Sequence, residues 1–493
     1  MWLLAAAMLL AACSGARNTA AVPAAVERTT AQRAVNAGTI TLHVYDSSGN
    51  RISWNAFRAL ESDGKGSNGL NDAILDASSL RILSQWPLAS SGGGTGDPTL
   101  SVPSGNAALA LAWPTSDGYS NLIFALPSTG GTYIFNQLAA KQLVADLDAA
   151  KAARPWYVPS AAFTTSSLNA HTALSGTLAA ASEAQTGAMS AQAMDAAIHA
   201  ERLLLSESGP QFARTKAAGS LAWGVTFDEI AGGVRDLASV ASLVAPAAGD
   251  AWIRVVFDRQ EPASYYAAEI AEAHALGMHV VGQLLDSSDM SAVSLTKFQA
   301  RVQSYVATLP AVDEWEVGNE VNGNWLGSDV VAKVSYAAAY VKSHTNARTL
   351  LTLYWQLGED VTSDAMFNWA ATNLTSTIMS NIDDIGLSLY PENNPMGSAF
   401  DRVLQTLHAA YPNQSLMITE LDYWSSDLSH TWWWGSQTDP TGAGRIAVAQ
   451  WYGAAGLSYP YYRGGTFWWY YLEEAAQGNA LWDALASLHQ SAY

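Results

Sequence analysis

Between residues 221 and 493 one pattern repeats along the sequence: a short apolar run typical of a β-strand is followed by a stretch with helical periodicity. The apolar runs occupy residues 221–227, 251–257, 278–285, 312–318, 348–354, 384–389, 415–419 and 464–469. Eight such units in about 270 residues have the size and rhythm of a (β/α)8 TIM barrel. We therefore predict an α/β fold with a barrel over residues 220–493.

The barrel has one structural competitor, an open doubly wound α/β sheet. Such a sheet normally carries a glycine-rich phosphate-binding loop after its first strand. Residues 223–228 contain no such loop, so the pattern favours the barrel. Pro262 and Gly277 bound one of the predicted helices, in agreement with the residue preferences of helix ends.

The chain before the barrel has a different pattern. Residues 39–45 alternate like a strand, and residues 46–50 are typical of a turn. Further short strands are predicted at 107–113, 121–126 and 132–135, and helices at 136–152 and 178–206. We predict a smaller β-rich, sandwich-like domain over residues 37–219, with a helical connector that leads to the barrel.

The first 36 residues are predicted to be a targeting segment and a tether. Met1–Ala12 is apolar but too short to span a bilayer, which is typical of a signal peptide. Leu10–Cys13 is similar to the bacterial lipobox, and Cys13 is the single cysteine of the chain. The lipobox implies lipidation of Cys13, a tether over residues 13–36 and a membrane contact through the lipid alone, at the outer membrane of a Gram-negative cell. The alternative is an incidental cysteine and a secreted protein.

Charge and aromatic content narrow the choice of partners. The formal net charge is −19 and no run of Lys or Arg is present, so we expect no binding to nucleic acid, whose phosphates would be repelled. Of 19 Trp residues, 14 lie after residue 220. Core packing accounts for part of them, but the run Trp432–Trp434 cannot face inward as a whole. Exposed rings of this kind suit stacking on the C–H faces of sugars.

Two glutamates stand where barrel strands end, which is where the reacting groups of a TIM barrel lie. Glu320 follows the fourth predicted strand and Glu420 follows the seventh, so their carboxyl groups can face each other across the barrel mouth. For either residue alone, a solvated rim carboxylate is the simpler interpretation. As a pair, one protonated and one ionised, they have the chemistry of glycoside hydrolysis, and their mutual repulsion would raise the pKa of the acid.

The residues around these glutamates carry a family resemblance. Trp315–Asn322, Trp-Glu-Val-Gly-Asn-Glu-Val-Asn, is similar to the strand-four motif of glycoside hydrolase families 39 and 51, and Ile418–Asp422 resembles the strand-seven motif of family 10 xylanases. Together they resemble clan A over residues 221–493 and leave the family open. The resemblance implies a retaining enzyme in which Glu320 is the acid/base and Glu420 the nucleophile, without a cofactor, acting on a β-linked poly- or oligosaccharide.

The clan pattern implies supporting roles for further residues. Asn319 would bind the sugar 2-hydroxyl, Arg254 would keep the nucleophile ionised, and Tyr390 would touch it. The alternative for Arg254 is a rim salt bridge, although an arginine inside an apolar strand must find a carboxylate. Either Trp468 or Trp469 would be the sugar platform. Alternation lets only one point inward, and we favour Trp468.

Several other residues near strand ends have simpler or secondary interpretations. Glu316 is expected to be a buried structural carboxylate, while Asp228 and Asp422 are candidates to line the cleft. Gln283 and Asp286 are candidates to bind hydroxyl groups. Additional subsites are expected at the loop residues Asn324, Trp325, Trp355, Trp424 and Trp432.

The remaining motifs argue against metal-dependent and serine catalysis, but they leave several functions open. The nine His residues lack metal-ligand spacing, and no Gly-x-Ser-x-Gly motif follows a strand, so we expect neither a metal nor serine catalysis. The loop tryptophans favour an endo-acting cleft. Exo action, transglycosylation and an inactive carbohydrate-binding surface protein are the alternatives. The N-terminal domain either binds sugar or braces the barrel, and bracing is the simpler interpretation. The sugar, its linkage and the oligomeric state stay open.

Overall fold

The computed structural model describes residues 38–61, 72–228, 236–244, 250–357, 361–423, 442–475 and 477–491. The predicted signal peptide, the tether and Cys13 lie outside the described residues, as do Trp424 and Trp432–Trp434. Among the described residues, no helix is both long and apolar enough to cross a membrane.

Within the described residues, the N-terminal part contains nine short strands and four helices. The strands are β1 (Thr39–Tyr45), β2 (Arg51–Ile52), β3 (Ala73–Asp76), β4 (Ile82–Gln85), β5 (Ala89–Ser90), β6 (Pro98–Ser101), β7 (Ala107–Thr115), β8 (Gly118–Ala125) and β9 (Gly131–Ile134). The helices are α1 (Trp54–Glu61), α2 (Phe135–Ala152), α3 (Ala161–Gly176) and α4 (Glu183–Ala213), with a 3-10 turn at Thr177–Ala179.

These strands form two sheets, which confirms the predicted β-rich N-terminal architecture. One sheet has the order β2-β1-β6-β5 with β9 beside β1, and the other has the order β4-β3-β7-β8. All pairs are antiparallel except β1 with β9. Leu42 and Leu109 come from the two sheets and share one core with Phe135 of α2. Helix α3 was not predicted, because its Ser/Thr-rich sequence has low helical propensity.

Residues 222–491 form the predicted barrel. Its strands are β10 (Ala222–Phe227), β11 (Ala251–Val256), β12 (His279–Gln283), β13 (Glu314–Gly318), β14 (Arg348–Tyr354), β15 (Asp384–Leu389), β16 (Ser415–Leu421) and β17 (Gly464–Trp468). Each is parallel to its neighbours, and β17 closes the ring on β10. All eight predicted strands are confirmed, since each apolar run is buried between the barrel interior and the helices.

Helices follow the barrel strands on the outside. They are α5 (Leu237–Val244), α6 (Ala267–Ala275), α7 (Ser287–Met290), α8 (Leu295–Thr308), α9 (Val330–His344), α10 (Met366–Asn373), α11 (Ser376–Met379), α12 (Phe400–Ala410), α13 (Ala443–Ala455), α14 (Tyr471–Glu474) and α15 (Ala480–Ser491), with 3-10 turns at Ala263–Tyr266, Thr362–Asp364 and Gly397–Ala399. Pro262 precedes the turn that leads into α6, and Gly277 follows this helix with φ +82°, a conformation that glycine adopts without strain.

The N-terminal sheets are fastened to the barrel by specific polar contacts. The Asn368 side chain accepts a hydrogen bond from the Ile82 N–H at 2.7 Å and donates one to its carbonyl at 3.1 Å. Arg402 donates to the Ile123 carbonyl at 2.9 Å. Helix α4 lies so close to α13 that a Cβ at Gly209 would be 2.4 Å from the Ala454 carbonyl oxygen.

A buried ion pair joins the connector to the barrel, and we expect its loss to destabilise the protein. Arg154 donates to both carboxylate oxygens of Asp401, at 2.7 and 2.8 Å, and its side chain is 1% exposed. Arg154→Ala would leave the Asp401 carboxylate without its counter-ion, and the free energy of unfolding should fall by about 3–5 kcal/mol. Urea unfolding measures this. As a control, Arg51→Ala removes the solvent-exposed pair with Asp97 and should cost about 1 kcal/mol or less. Equal losses in the two variants would contradict this account.

Candidate active site

Parallel strands deliver five polar side chains to one end of the barrel. Arg254 lies on β11, Glu320 follows β13, Ser388 lies on β15, Tyr390 follows the same strand, and Glu420 lies on β16. The β13 and β16 strands are the fourth and seventh of the barrel. Because the carboxyl ends of all barrel strands meet at one face, these side chains converge on the barrel mouth.

Glu420 is surrounded by three hydrogen-bond donors. Arg254 Nη2 donates to Oε1 at 2.7 Å, while Tyr390 Oη donates to Oε2 at 3.1 Å. Ser388 Oγ lies 3.0 Å from the same Oε2. Glu420 is 2% exposed and Arg254 is fully buried. The arginine and the two hydroxyl groups favour the ionised form of this carboxylate and so oppose the effect of its burial.

Arg254 is held in place by a second carboxylate. Its Nε donates to Glu316 Oε2 at 2.7 Å, and Glu316 also accepts a hydrogen bond from Thr352 Oγ1. Arg254 therefore has the partners that an arginine inside an apolar strand needs. Glu316 is 1% exposed and its two carboxylate oxygens are occupied by Arg254 and Thr352, so its contacts are those of a positioning group.

Glu320 has an unusual backbone conformation. Its φ is +48°, in the left-handed region that a residue with a side chain adopts at a cost of about 1–3 kcal/mol. Its carbonyl accepts a hydrogen bond from Gly323 N–H at 2.8 Å, which closes a turn directly after β13. The carboxyl group contacts Ser287 Oγ at 2.7 Å through Oε2 and Ser388 Oγ at 2.6 Å through Oε1. The turn aims this side chain across the barrel mouth.

One hydroxyl group therefore contacts both glutamates. Ser388 Oγ lies 2.6 Å from Glu320 Oε1 and 3.0 Å from Glu420 Oε2. The distance between Glu320 Oε1 and Glu420 Oε2 therefore cannot exceed the sum of these two hydrogen-bond distances. Sequence reasoning did not select Ser388, although a signal was available: it stands two residues before Tyr390, so strand alternation places both on one face.

The two carboxyl groups have different proton affinities. Burial, and then repulsion by Glu420, raises the pKa of Glu320 to about 8. Burial raises the pKa of Glu420 to about 7, and Arg254 opposes this shift. Glu320 has no cationic partner of this kind among the described residues. The shared proton of the pair therefore belongs on Glu320, and the charge on Glu420.

Several buried polar atoms beside the glutamates lack a partner within the described part of the chain. Neither amide atom of Gln283 makes a hydrogen bond, and the side chain is fully buried. The Asn319 Oδ1 is also unpaired, while its Nδ2 lies 3.4 Å from Asp286 Oδ2. Because an unpaired buried polar group costs about 1–3 kcal/mol, such atoms are suited to bind the polar groups of a ligand.

The tryptophan that faces the barrel mouth is Trp469. Its ring packs with Val256 and Tyr390, and the Arg254 guanidinium lies 5.4 Å from its centre. Trp468 points to the helix layer, where Nε1 donates to Glu474 at 3.0 Å. The prediction that Trp468 faces the cleft is therefore wrong.

A bulge in β17 explains this error. Trp223 of β10 pairs with Gly465 and Val225 pairs with Trp468, so β17 contains one extra residue between the two pairs. Thr466 within this segment has a φ of +60°. An inserted residue shifts the alternation of all following side chains by one.

The predicted loop subsites have different positions in the structure. Trp355 is 2% exposed, packs in the main hydrophobic core and donates from Nε1 to the Pro395 carbonyl at 3.3 Å, and its role in a subsite stays a prediction. Trp325 is half-buried, with its ring 5.8 Å from that of Tyr354 in an edge-to-face arrangement. Asn324 is exposed beside it. Trp424 and Trp432 lie outside the described residues.

The two candidate aspartates are also buried. Asp228 is 5% exposed, and Asp422 is fully buried two residues after Glu420. Burial, followed by repulsion from Glu474 and Glu392, raises the pKa of Asp422 well above its usual range. Neither presents an open carboxylate to solvent. Within the described residues, no group of three or more His, Cys, Asp or Glu side chains is placed to hold a metal ion.

The fold and this site define a class: a closed parallel (β/α)8 barrel with two buried, facing glutamates at the carboxyl ends of its fourth and seventh strands. No protein-family model matches the chain, and no curated protein does either.

Solved structures of barrel glycosidases are similar to this chain. A GH113 beta-mannanase from Alicyclobacillus acidocaldarius matches at 15% identity over 56% of this chain and 100% of the mannanase, with a TM-score of 0.38. A GH10 xylanase from Bispora sp. MEY-1 matches at 16% identity over 57% and 99% of the two chains, with a TM-score of 0.38. The family 1 beta-glucosidase from Thermotoga maritima matches at 9% identity over 46% and 75%, with a TM-score of 0.32.

Proposed function

We propose that this protein is a retaining glycoside hydrolase that cleaves a β-linked poly- or oligosaccharide. The observation that carries the proposal is the contact of one hydroxyl group, Ser388 Oγ, with both Glu320 and Glu420. Retaining enzymes hold their two carboxyl groups about 5–5.5 Å apart, while inverting enzymes need about 6.5–9.5 Å to admit a water molecule. Two carboxyl groups joined through one oxygen atom match the shorter spacing.

The environment of each carboxyl group supports a separate role. Glu420, paired with Arg254 and contacted by Tyr390, is the nucleophile, because it is the group kept ionised. Glu320, which has no such cation beside it among the described residues and has the higher pKa, is the acid/base. This division follows the general rule that paired carboxylates in different environments take different roles.

The proposed reaction has two steps. In the first, a Glu420 oxygen bonds to the anomeric carbon while the glycosidic C–O bond breaks, and the Glu320 proton passes to the departing oxygen. In the second, Glu320 takes a proton from water as the water oxygen bonds to the same carbon, and the bond to Glu420 breaks. Two inversions restore the original anomeric configuration, and both carboxyl groups return to their starting protonation.

The surrounding residues suit a sugar ring. Gln283 and Asn319 present unpaired buried amide atoms to hydroxyl groups, and Asp286 offers a further acceptor near Asn319. Trp469 lies above Arg254 at the barrel mouth and is the proposed ring platform. Half-buried Trp325 extends the aromatic surface beyond the acid/base loop, which supports binding of several consecutive sugars and endo action.

The activity should have a narrow pH optimum between neutral and slightly alkaline. Glu420 must be ionised, so kcat/KM should rise with pH through about 7. Glu320 must be protonated, so kcat/KM should fall as pH rises through about 8. A pH profile of kcat/KM on an active substrate measures both limbs. A profile that keeps rising to pH 10 would contradict the assignment of the acid.

The substrate is testable by incubation with a panel of β-linked polysaccharides, followed by product sizing and NMR of the first anomer released. We expect oligosaccharides of several lengths, and the anomer first released at their new reducing ends should have the β-configuration. A single small product would indicate exo action, and longer products would indicate transglycosylation. The α-anomer as first product would contradict a retaining mechanism. Binding to the panel without turnover would identify a carbohydrate-binding protein instead.

A further inference from the structure

Ser388 occupies a position that the proposed reaction does not itself explain. It lies on β15, fully buried, and its hydroxyl oxygen is within hydrogen-bond distance of Glu320 Oε1 and Glu420 Oε2, at 2.6 and 3.0 Å. The inference drawn from it rests on the proposed function and concerns the same two glutamates.

A serine hydroxyl has one proton and can donate one hydrogen bond. If both glutamates were ionised, one of the two contacts would bring a hydroxyl lone pair against a carboxylate oxygen without a proton between them. One added proton on either glutamate turns both contacts into hydrogen bonds. Ser388 then donates to the ionised carboxylate and accepts from the protonated one. The geometry therefore favours a pair that carries at least one proton.

The other groups around the pair decide which glutamate holds this proton. Arg254 and Tyr390 both donate to Glu420, so protonation of Glu420 would weaken a buried ion pair. Apart from Ser388, the hydrogen-bond partner of the Glu320 carboxyl group among the described residues is the neutral hydroxyl of Ser287. The remaining charged groups oppose a second negative charge or are already paired: Asp286 adds repulsion to both glutamates, and Glu316 is bound to Arg254.

We propose that Ser388 is a positioning residue that keeps the shared proton on Glu320 and the negative charge on Glu420 in the free enzyme. Its hydroxyl accepts a hydrogen bond from protonated Glu320 and donates one to ionised Glu420. Both glutamates are thereby prepared for the first step before substrate arrives. Removal of the hydroxyl group should affect the two carboxyl groups in opposite directions.

The test compares pH profiles of kcat/KM for the native protein, Ser388→Ala and Ser388→Thr. In Ser388→Ala, Glu420 loses a donor and its pKa should rise, so the acidic limb moves to higher pH. Glu320 loses the acceptor of its proton and its pKa should fall, so the alkaline limb moves to lower pH. Each pKa should move by about 0.5 unit, so the limbs at about 7 and about 8 converge toward the middle of the profile, and kcat/KM at the optimum should fall about 10-fold. Ser388→Thr keeps the hydroxyl and should keep both limbs near their native positions.

A merely structural role would not narrow the profile from both sides. Movement of both limbs in one direction, an upward shift of the alkaline limb, or an unchanged profile in Ser388→Ala would overturn the proposal. Thermal unfolding of each variant establishes that the comparison is made on folded protein.

A second measurement does not require turnover. Infrared difference spectra taken across the pH range report protonated carboxyl groups, and the Glu320 band is the one that disappears in Glu320→Gln. This band should titrate at lower pH in Ser388→Ala than in the native protein. If no glycoside is cleaved by the native protein, the proposed function fails. The spectra still decide where the proton lies, and an unshifted Glu320 band would overturn the role of Ser388.

Discussion

Glu420→Gln is expected to lower kcat by roughly 10⁴- to 10⁶-fold while leaving the affinity for oligosaccharide nearly unchanged. An amide cannot form the covalent bond to the anomeric carbon, so the first step is lost. The shape of the site is preserved, because glutamine has the size of glutamate and Arg254 keeps its second partner, Glu316. Initial rates measure the loss of turnover, and calorimetric titration with a product oligosaccharide measures the affinity.

Glu314→Gln is the matched control for this variant. Glu314 is also buried and paired with an arginine, Arg463, but it lies at the opposite end of the barrel. Its replacement should change stability and leave kcat within a few-fold. If Glu420→Gln retained more than about one hundredth of the native kcat, Glu420 would not be the nucleophile.

The Glu420→Ala variant has a further diagnostic property. The space left by the carboxylate would admit azide on the face from which Glu420 attacks. Azide would then displace the leaving group in a single inversion and produce an α-glycosyl azide from a β-glycoside. NMR of the product distinguishes this anomer from the β-anomer.

Glu320→Ala is expected to produce the second-largest effect, and it should depend on the leaving group. Without the acid, hydrolysis of a natural polysaccharide should fall by about 10²- to 10⁴-fold. An aryl glycoside whose leaving group is already a weak base needs little proton donation, so its first step should remain fast. The second step also lacks its general base, and the glycosyl-enzyme should accumulate. A burst of the aryl alcohol followed by slow turnover is the expected time course.

Azide should accelerate the slow phase of Glu320→Ala. It needs no general base, and it would attack the glycosyl-enzyme to produce a β-glycosyl azide after two inversions. The two alanine variants should therefore release azides of opposite configuration, and each is the control for the other. The same anomer from both variants would contradict the assignment of the two glutamates.

The barrel was predictable from the sequence because its signal is local and repeated. Each of the eight strands is a short apolar run followed by a helix, and burial on both sides of the strand requires this composition. The positions of Glu320 and Glu420 followed from the same reasoning, since strand ends in a closed barrel share one face. The resemblance to clan A motifs then supplied their expected roles.

Other features depended on pairings between distant segments. The parallel contact of β1 with β9 joins residues about 90 positions apart, and no local pattern distinguishes it from an antiparallel one. The inward position of Trp469 depends on a bulge that becomes visible only when β17 is aligned with β10. Trp355 looked like a loop residue, but its ring packs in the core because the chain around Pro395 covers it.

The sequence by itself determined the alternation of strands and helices in the barrel, and with it the end of the barrel at which Glu320 and Glu420 stand, because hydrophobic periodicity and strand ends are properties of short segments. Only the tertiary structure decided that Arg254 divides its donors between Glu316 and Glu420, that Trp469 and not Trp468 faces the mouth, and that the Ser388 hydroxyl contacts both glutamates. The hydrogen bonds of Arg254 and Ser388 join atoms about 3 Å apart in residues that are distant in the sequence. Strand register and barrel closure set such distances.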